Sequence, residues 1–177
     1  MKYIDTKLSG IVIIEPERLE DTRGFFARTW DEKEAMDRGL KLTTVQCNIS
    51  FNTRTGTLRG MHYQEKPHEE AKIVRCTRGA LYDVALDIRR DSPTYRQWVA
   101  VELTADNHRS LYIPEGFAHG FQTLENNTEA FYQMGEYFHP KSARSVRFDD
   151  PAFAIEWPKV SERIMSEKDA SYPDWVI

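Results

Sequence analysis

The sequence predicts an all-β fold of short antiparallel strands, an antiparallel sandwich or small barrel, on three observations. Strand-like segments recur along most of the 177 residues, glycine, proline and asparagine turns separate them, and no alternating strand–helix–strand pattern is present. The strands expected, in order, are Ile11–Glu15, Arg23–Trp30, Thr43–Phe51, Leu58–Gln64 and Ala71–Thr77, followed by Ala80–Ile88, Val99–Thr104, Ser110–Ile113, Ala118–Leu124 and Glu129–Phe138. The turns fall at Gly56, Arg78-Gly79, Ser92-Pro93, Pro114-Glu115-Gly116 and Asn126-Asn127. One internal helix is expected, with Asp31 as N-cap, Glu34 three residues on, and a stop at Gly39. A second helical turn is expected near 161–169. With no internal repeat, low-complexity stretch or linker, residues 1–177 read as a single domain.

Composition bounds the function. Hydrophobic residues at 40% and charged residues at 29% describe an ordinary globular chain and exclude disorder. The longest aliphatic run is Ile11–Ile14, far short of the roughly 20 residues a membrane span needs, and Met1–Gly10 lacks an apolar signal core. No membrane partner and a cytoplasmic location are therefore expected. A net charge of −4 without a basic stripe argues against nucleic acid as a partner. Cys47 and Cys76 are expected to be reduced core residues, since both lie in strand-like segments outside any CxxC spacing.

Alternation assigns side chains to faces. In Ala80–Ile88, Tyr82, Val84, Leu86 and Ile88 share a face that reads as core, leaving Leu81, Asp83, Ala85 and Asp87 on the other. Lys72 shares a face with Val74 and Cys76. Either that face lines a polar-floored cavity or Lys72 snorkels from an edge. Leu58, Gly60, His62 and Gln64 share a face, and Gly56 and Gly60 beside His62 suggest close backbone approach to a strand or a ligand.

The five histidines raise the question of zinc. Pro114-Glu115-Gly116-Phe117-Ala118-His119 fits the cupin PxGxxH motif, but the first cupin motif needs HxH and this chain has His62-Tyr63-Gln64. With one imidazole missing and no CxxC, the set is a poor metal site. No GxSxG elbow and no phosphate-cradling glycine loop occurs. The chemistry left is metal-free acid/base work by histidines, Lys72 and Tyr132, each of which taken singly also reads as ordinary core.

Several blocks together resemble one family. Asp21-Thr22-Arg23-Gly24-Phe25-Phe26, Leu58-Arg59-Gly60-Met61-His62-Tyr63-Gln64, Lys72-Ile73-Val74-Arg75-Cys76, Asp83-Val84-Ala85-Leu86-Asp87-Ile88-Arg89 and Ser92-Pro93-Thr94-Tyr95 match in order, as do Ile113–Phe121, Ile155-Glu156-Trp157-Pro158 and Ser166-Glu167-Lys168-Asp169-Ala170. These are similar to the dTDP-4-dehydrorhamnose 3,5-epimerases over roughly residues 10 to 170. The resemblance implies a cupin-type jelly roll, a double-stranded β-helix with a few short peripheral helices. It also implies a homodimer, no cofactor or metal, and a nucleotide-linked 4-keto-6-deoxyhexose as substrate in deoxysugar biosynthesis, such as that of lipopolysaccharide O-antigen. Position by position it implies His62 as general base, Asp169 as its carboxylate partner, Tyr132 as acid on the opposite sugar face and Lys72 as the cation near the C4 oxygen. Arg23, Gln46, Asn48, Arg59, His119 and Lys168 fall on substrate-contacting positions.

The sequence departs from that pattern at Arg28 and Ala143, where glutamates are usual, and at Phe138, where a tyrosine commonly stacks on the base. Phe138 keeps a stacking face. An arginine at 28 would suit the N3 acceptor of cytosine, so a CDP-linked sugar, with inversion at C3 or C5 alone, is a second expectation. A non-catalytic sugar-nucleotide-binding cupin and a metal-dependent cupin enzyme are the rivals from other classes.

Overall fold

The computed structural model describes residues 1–176, and Ile177 lies outside the described residues. Two antiparallel sheets face each other. The first, in the order β1-β2-β10-β7-β12-β5, comprises β1 (Lys2–Asp5), β2 (Val12–Glu15), β10 (Ser110–Ile113), β7 (Lys72–Arg78), β12 (Thr128–Met134) and β5 (Gln46–Asn52). The second, in the order β13-β6-β11-β8-β9, comprises β13 (Ala143–Ser145), β6 (Leu58–Gln64), β11 (Phe117–Thr123), β8 (Ala80–Asp87) and β9 (Trp98–Thr104). A hairpin of β3 (Leu19–Asp21) and β4 (Gly24–Phe26) stands apart from both. Non-sequential neighbours, with β10 between β2 and β7 and β11 between β6 and β8, give the jelly roll.

Alternation sorts the apolar residues into layers. Val74, Cys76, Leu81, Ala85, Leu111, Ile113 and Phe121 meet between the sheets. Fully burying such a leucine or phenylalanine is worth about 1.5–3 kcal/mol. Ile73 and Tyr112, of opposite parity, pack outward against Ala35 of helix α1 (Glu32–Asp37) and Leu40. The α1 cap is as expected, since Asp31 accepts from the Glu34 backbone N–H at 3.0 Å and Gly39 reverses the chain at φ 78°.

Four sequence expectations are revised. On β8, Leu81, Asp83 and Ala85 point between the sheets, while Val84 and Leu86 lie beneath Phe153, with Tyr82, Trp157 and Trp175 packed around them. Both faces of that strand are apolar because both are covered, so period alone could not tell which was inner. Arg23–Trp30 is a strand only over Gly24–Phe26, because its one pairing partner among the described residues is the short segment Leu19–Asp21. Glu129–Phe138 ends as a strand at Met134, where the Gly135 N–H turns to the Ala71 carbonyl. Cys76 is buried but Cys47 is exposed, on an edge strand left uncovered among the described residues. Among the described residues no helix is long and apolar enough to cross a membrane.

Candidate active site

A cavity of about 610 Å³ opens between the sheets at one end. Its shape begins with an irregularity in β6. His62 pairs with His119 and Arg59 with Phe121, so Gly60 and Met61 together stand opposite the single residue Gly120. The extra residue reverses the alternation, and Arg59 and His62, three apart, both face the cavity. Leu58, which a strict period of two placed beside His62, is turned away, while Gln64 remains on the cavity side. Glycine is required at this crossing: a Cβ on Gly60, at φ +132°, would sit 2.5 Å from the Gly120 Cα, and one on Gly120 would sit 2.8 Å from the Arg59 carbonyl oxygen. The close approach expected near His62 is thus to the neighbouring strand.

His62 Nε2 lies 2.8 Å from Asp169 Oδ1. Asp169 belongs to α2 (Glu167–Ala170), whose N-cap Ser166 accepts the Asp169 N–H. The segment before α2 is tied to the start of β6 by the Ile164 N–H to the Gly56 carbonyl and by the Leu58 N–H to the Ile164 carbonyl. Gly56 permits that contact, since a Cβ there would run into the Glu162 carbonyl. Burial opposes the charge on Asp169, but hydrogen bonds from His62, Ser166 and the Gly60 backbone outweigh it and hold the carboxyl below its ordinary range. With Nε2–H donated to that carboxylate, Nδ1 is the ring nitrogen left with a lone pair.

The opposite sheet supplies the facing wall. Tyr132 on β12 lines the cavity, and its partner on β5 is Asn48, another lining residue. Burial first, and the Asp83 carboxylate second, push the Tyr132 hydroxyl well above its ordinary value, with Arg59 acting in the other direction. Lys72, opposite Met134 on the adjacent strand, is 4% exposed and lines the cavity. Its Nζ is 2.5 Å from Glu70 Oε1. The lysine therefore floors a polar cavity and does not snorkel from an edge.

Gln46, Arg59, His119, Phe138 and Lys168 also line the cavity. Arg23 and Arg28 do not. Arg23 is bound to Asp21 on the β3–β4 hairpin, and Arg28 is engaged 2.6 Å from Asp31 at the head of α1. Sequence reasoning missed two carboxylates. Buried Asp83 holds His119 Nε2 at 2.8 Å, and His119 in turn stacks edge-on against Tyr132 with ring centroids 6.0 Å apart. Glu70 is the other. The signal for Asp83 was an acid inside the apolar run Ala80–Ile88, where a charge needs a partner. An imidazole backed by a carboxylate, a phenol across the cavity and an ammonium on the phenol's sheet can remove a proton from one side of a ligand, return one from the other, and hold transient negative charge.

The family model for dTDP-4-dehydrorhamnose 3,5-epimerase matches residues 5–176. A dTDP-4-dehydrorhamnose 3,5-epimerase of Sinorhizobium fredii is 41% identical over 98% of this chain and 89% of its own. The crystal structure of the Bacillus anthracis enzyme of that name, with TDP and PPi bound, superposes with a TM-score of 0.93 at 40% identity, covering 98% of this chain and 99% of its own. A Legionella pneumophila dTDP-6-deoxy-D-glucose-3,5-epimerase, in complex with dTDP-4-keto-L-rhamnose, superposes with a TM-score of 0.90 at 40% identity, covering 96% and 90%.

Proposed function

Because this chain belongs to the dTDP-4-dehydrorhamnose 3,5-epimerase family and is an isomerase acting on a nucleotide-linked 4-keto-6-deoxyhexose, we propose that its cavity inverts C3 and C5 of the dTDP-linked sugar by a metal-free enolate route. The observation that carries this reading is the placement of His62 and Tyr132 on facing sheets of one cavity that Lys72 also lines.

The ketone acidifies the C–H bonds at C3 and C5, since loss of either proton leaves an enolate shared with the C4 oxygen. His62 Nδ1 takes the proton from one face, and the imidazolium that forms is stabilised across 2.8 Å by Asp169. The Lys72 ammonium and nearby donors hold the enolate oxygen, a role worth about 10²–10³ in rate per donor. Tyr132, kept protonated by its surroundings, returns a proton to the other face. His119, held by Asp83, positions the phenol through their edge-on contact. Gln46, Asn48, Arg59 and Lys168 hold the remainder of the ligand, with Phe138 offering a stacking face at the rim.

The carrier proposed is dTDP. Arg28, the residue that suggested cytosine, is occupied by Asp31 outside the cavity of its own chain. A homodimer is also proposed, on the apolar surface the chain leaves exposed. Arg23 stands on a hairpin with Leu19 and Phe26 exposed, and β5 leaves Ile49 exposed on an unpaired edge, so a second copy could cover these and bring Arg23 to a site. Residues 1–177 act as one domain in this reading, because both sheets draw on early and late segments of the chain. Two unbridged cysteines fit the reducing cytoplasm.

The test is deuterium uptake from solvent into dTDP- and CDP-linked 4-keto-6-deoxyglucose, followed at C3 and C5 by NMR. Exchange at both centres of the dTDP form, lost in His62→Ala, is expected. Exchange at one centre, or preference for CDP, would overturn the assignment, as would wild-type exchange by His62→Ala. Light scattering of the eluted protein should give twice the chain mass.

A further inference from the structure

A second cluster lies outside the proton-transfer groups. The loop after β6 carries His68 and the loop after β12 carries Glu136 and His139. The two imidazoles stack with centroids 3.5 Å apart and planes 11° from parallel. His139 Nε2 is 3.6 Å from Glu136 Oε1, and one donor atom from each of the three side chains lies within 4.8 Å of the others. We propose that His68, Glu136 and His139 form a binding site for a divalent first-row transition-metal ion such as Zn²⁺, at the cavity rim.

Three features carry this. The donor set, two imidazoles and one carboxylate, suits Zn²⁺, Ni²⁺ or Co²⁺ and leaves a fourth position for water. The spacing is near that of a bound ion, because metal–ligand bonds of about 2.0–2.2 Å place tetrahedral donors about 3.4 Å apart, close to the His139–Glu136 separation. Because an imidazole nitrogen binds in its own ring plane, one of the two half-buried rings must rotate out of the stack for both to reach the ion. The backbones bearing the ligands are also held in advance. Buried Gln64 donates through Nε2 to the His68 carbonyl at 3.0 Å and the Tyr137 carbonyl at 3.1 Å, and its Oε1 accepts the His139 N–H at 2.6 Å. One side chain on β6 thus braces both loops, the support that converts a cluster into a site. Glu136 Oε1 also accepts the Tyr137 N–H, which orients the carboxylate.

The ion would cross-link the two loops at the mouth of the cavity. Glu136 also lines that cavity, whereas His68 and His139 do not, so the site adjoins the ligand space without using His62, Tyr132 or Lys72. The experiment is calorimetric titration of EDTA-treated full-length protein with Zn²⁺, repeated by visible spectroscopy with Co²⁺. One ion per chain with micromolar affinity is expected, along with a melting temperature raised by a few degrees in excess Zn²⁺. His139→Ala and Glu136→Gln should each weaken binding at least tenfold, and His62→Ala should not. If His139→Ala loses its circular dichroism spectrum, His68→Gln takes its place. Failure of the wild type to bind, wild-type affinity in the ligand variants, or loss of binding in His62→Ala would each overturn the proposal, the last by moving the ion to the His62–Asp169 pair.

Discussion

Replacing Asp169 by asparagine isolates the charge in the His62 pair. The amide is isosteric and can still accept the Nε2–H, and the Ser166 bond to the residue 169 backbone is untouched. What is lost is the interaction between carboxylate and imidazolium in the transition state. A hydrogen bond to a charged group is worth about 1.5–3 kcal/mol, which is about 10- to 150-fold in rate at 1.36 kcal/mol per decade. The His62 side chain is 49% exposed, so water screens part of that attraction and the lower half of the range applies. The expected result is a fall of about 10- to 50-fold in kcat for deuterium exchange, with KM within about threefold, because a charge felt only after proton transfer leaves ground-state binding alone. Exchange within twofold of wild type, in a variant that melts normally, would refute the base assignment.

Lys72→Met should lower kcat by about 10²–10³ and destabilise the fold by about 3–5 kcal/mol, because Glu70 is left buried without its partner. The double variant with Glu70→Gln should recover the stability, read by urea unfolding, but not the rate. Asp87 accepts from Arg89, Ser92 and Thr94, and although burial opposes its charge these bonds hold its pKa down to about 2. A depressed carboxyl adds stability above its unfolded pKa and loses it as pH falls through the folded value. Asp87→Asn should therefore cost about 2 kcal/mol at pH 7 and flatten the acid limb between about pH 4 and 2 in unfolding titrations. Gly60→Ala should lower stability by more than about 2 kcal/mol and displace both Arg59 and His62, seen as joint loss of thermal midpoint and turnover.

Most strands were legible in the sequence, and Leu58–Gln64 and Ser110–Ile113 agree to the residue. The turn residues and β-rich runs that mark them act locally. The capped helix at Asp31 was legible for the same reason. Lys72 could be seen as anomalous on an apolar face, but its environment could not, because the cavity around it is walled by β5, β6 and β12, which lie elsewhere in the chain. The short strands β1, β3 and β13 left no readable signal, since three or four residues are too few to show an alternation and β13 forms only by pairing with β6, some eighty residues earlier.

The order of chemistry-bearing residues, the alternating faces and the absence of a membrane-length apolar run were determined by sequence alone, because they depend on residue identity and a period of two. Tertiary structure decided which face of β8 is inner, which carboxylate serves which histidine, and that Arg59 joins His62 across a bulge. Each of those rests on contacts between segments far apart in the chain, and an extra residue in one strand changes the parity of everything after it.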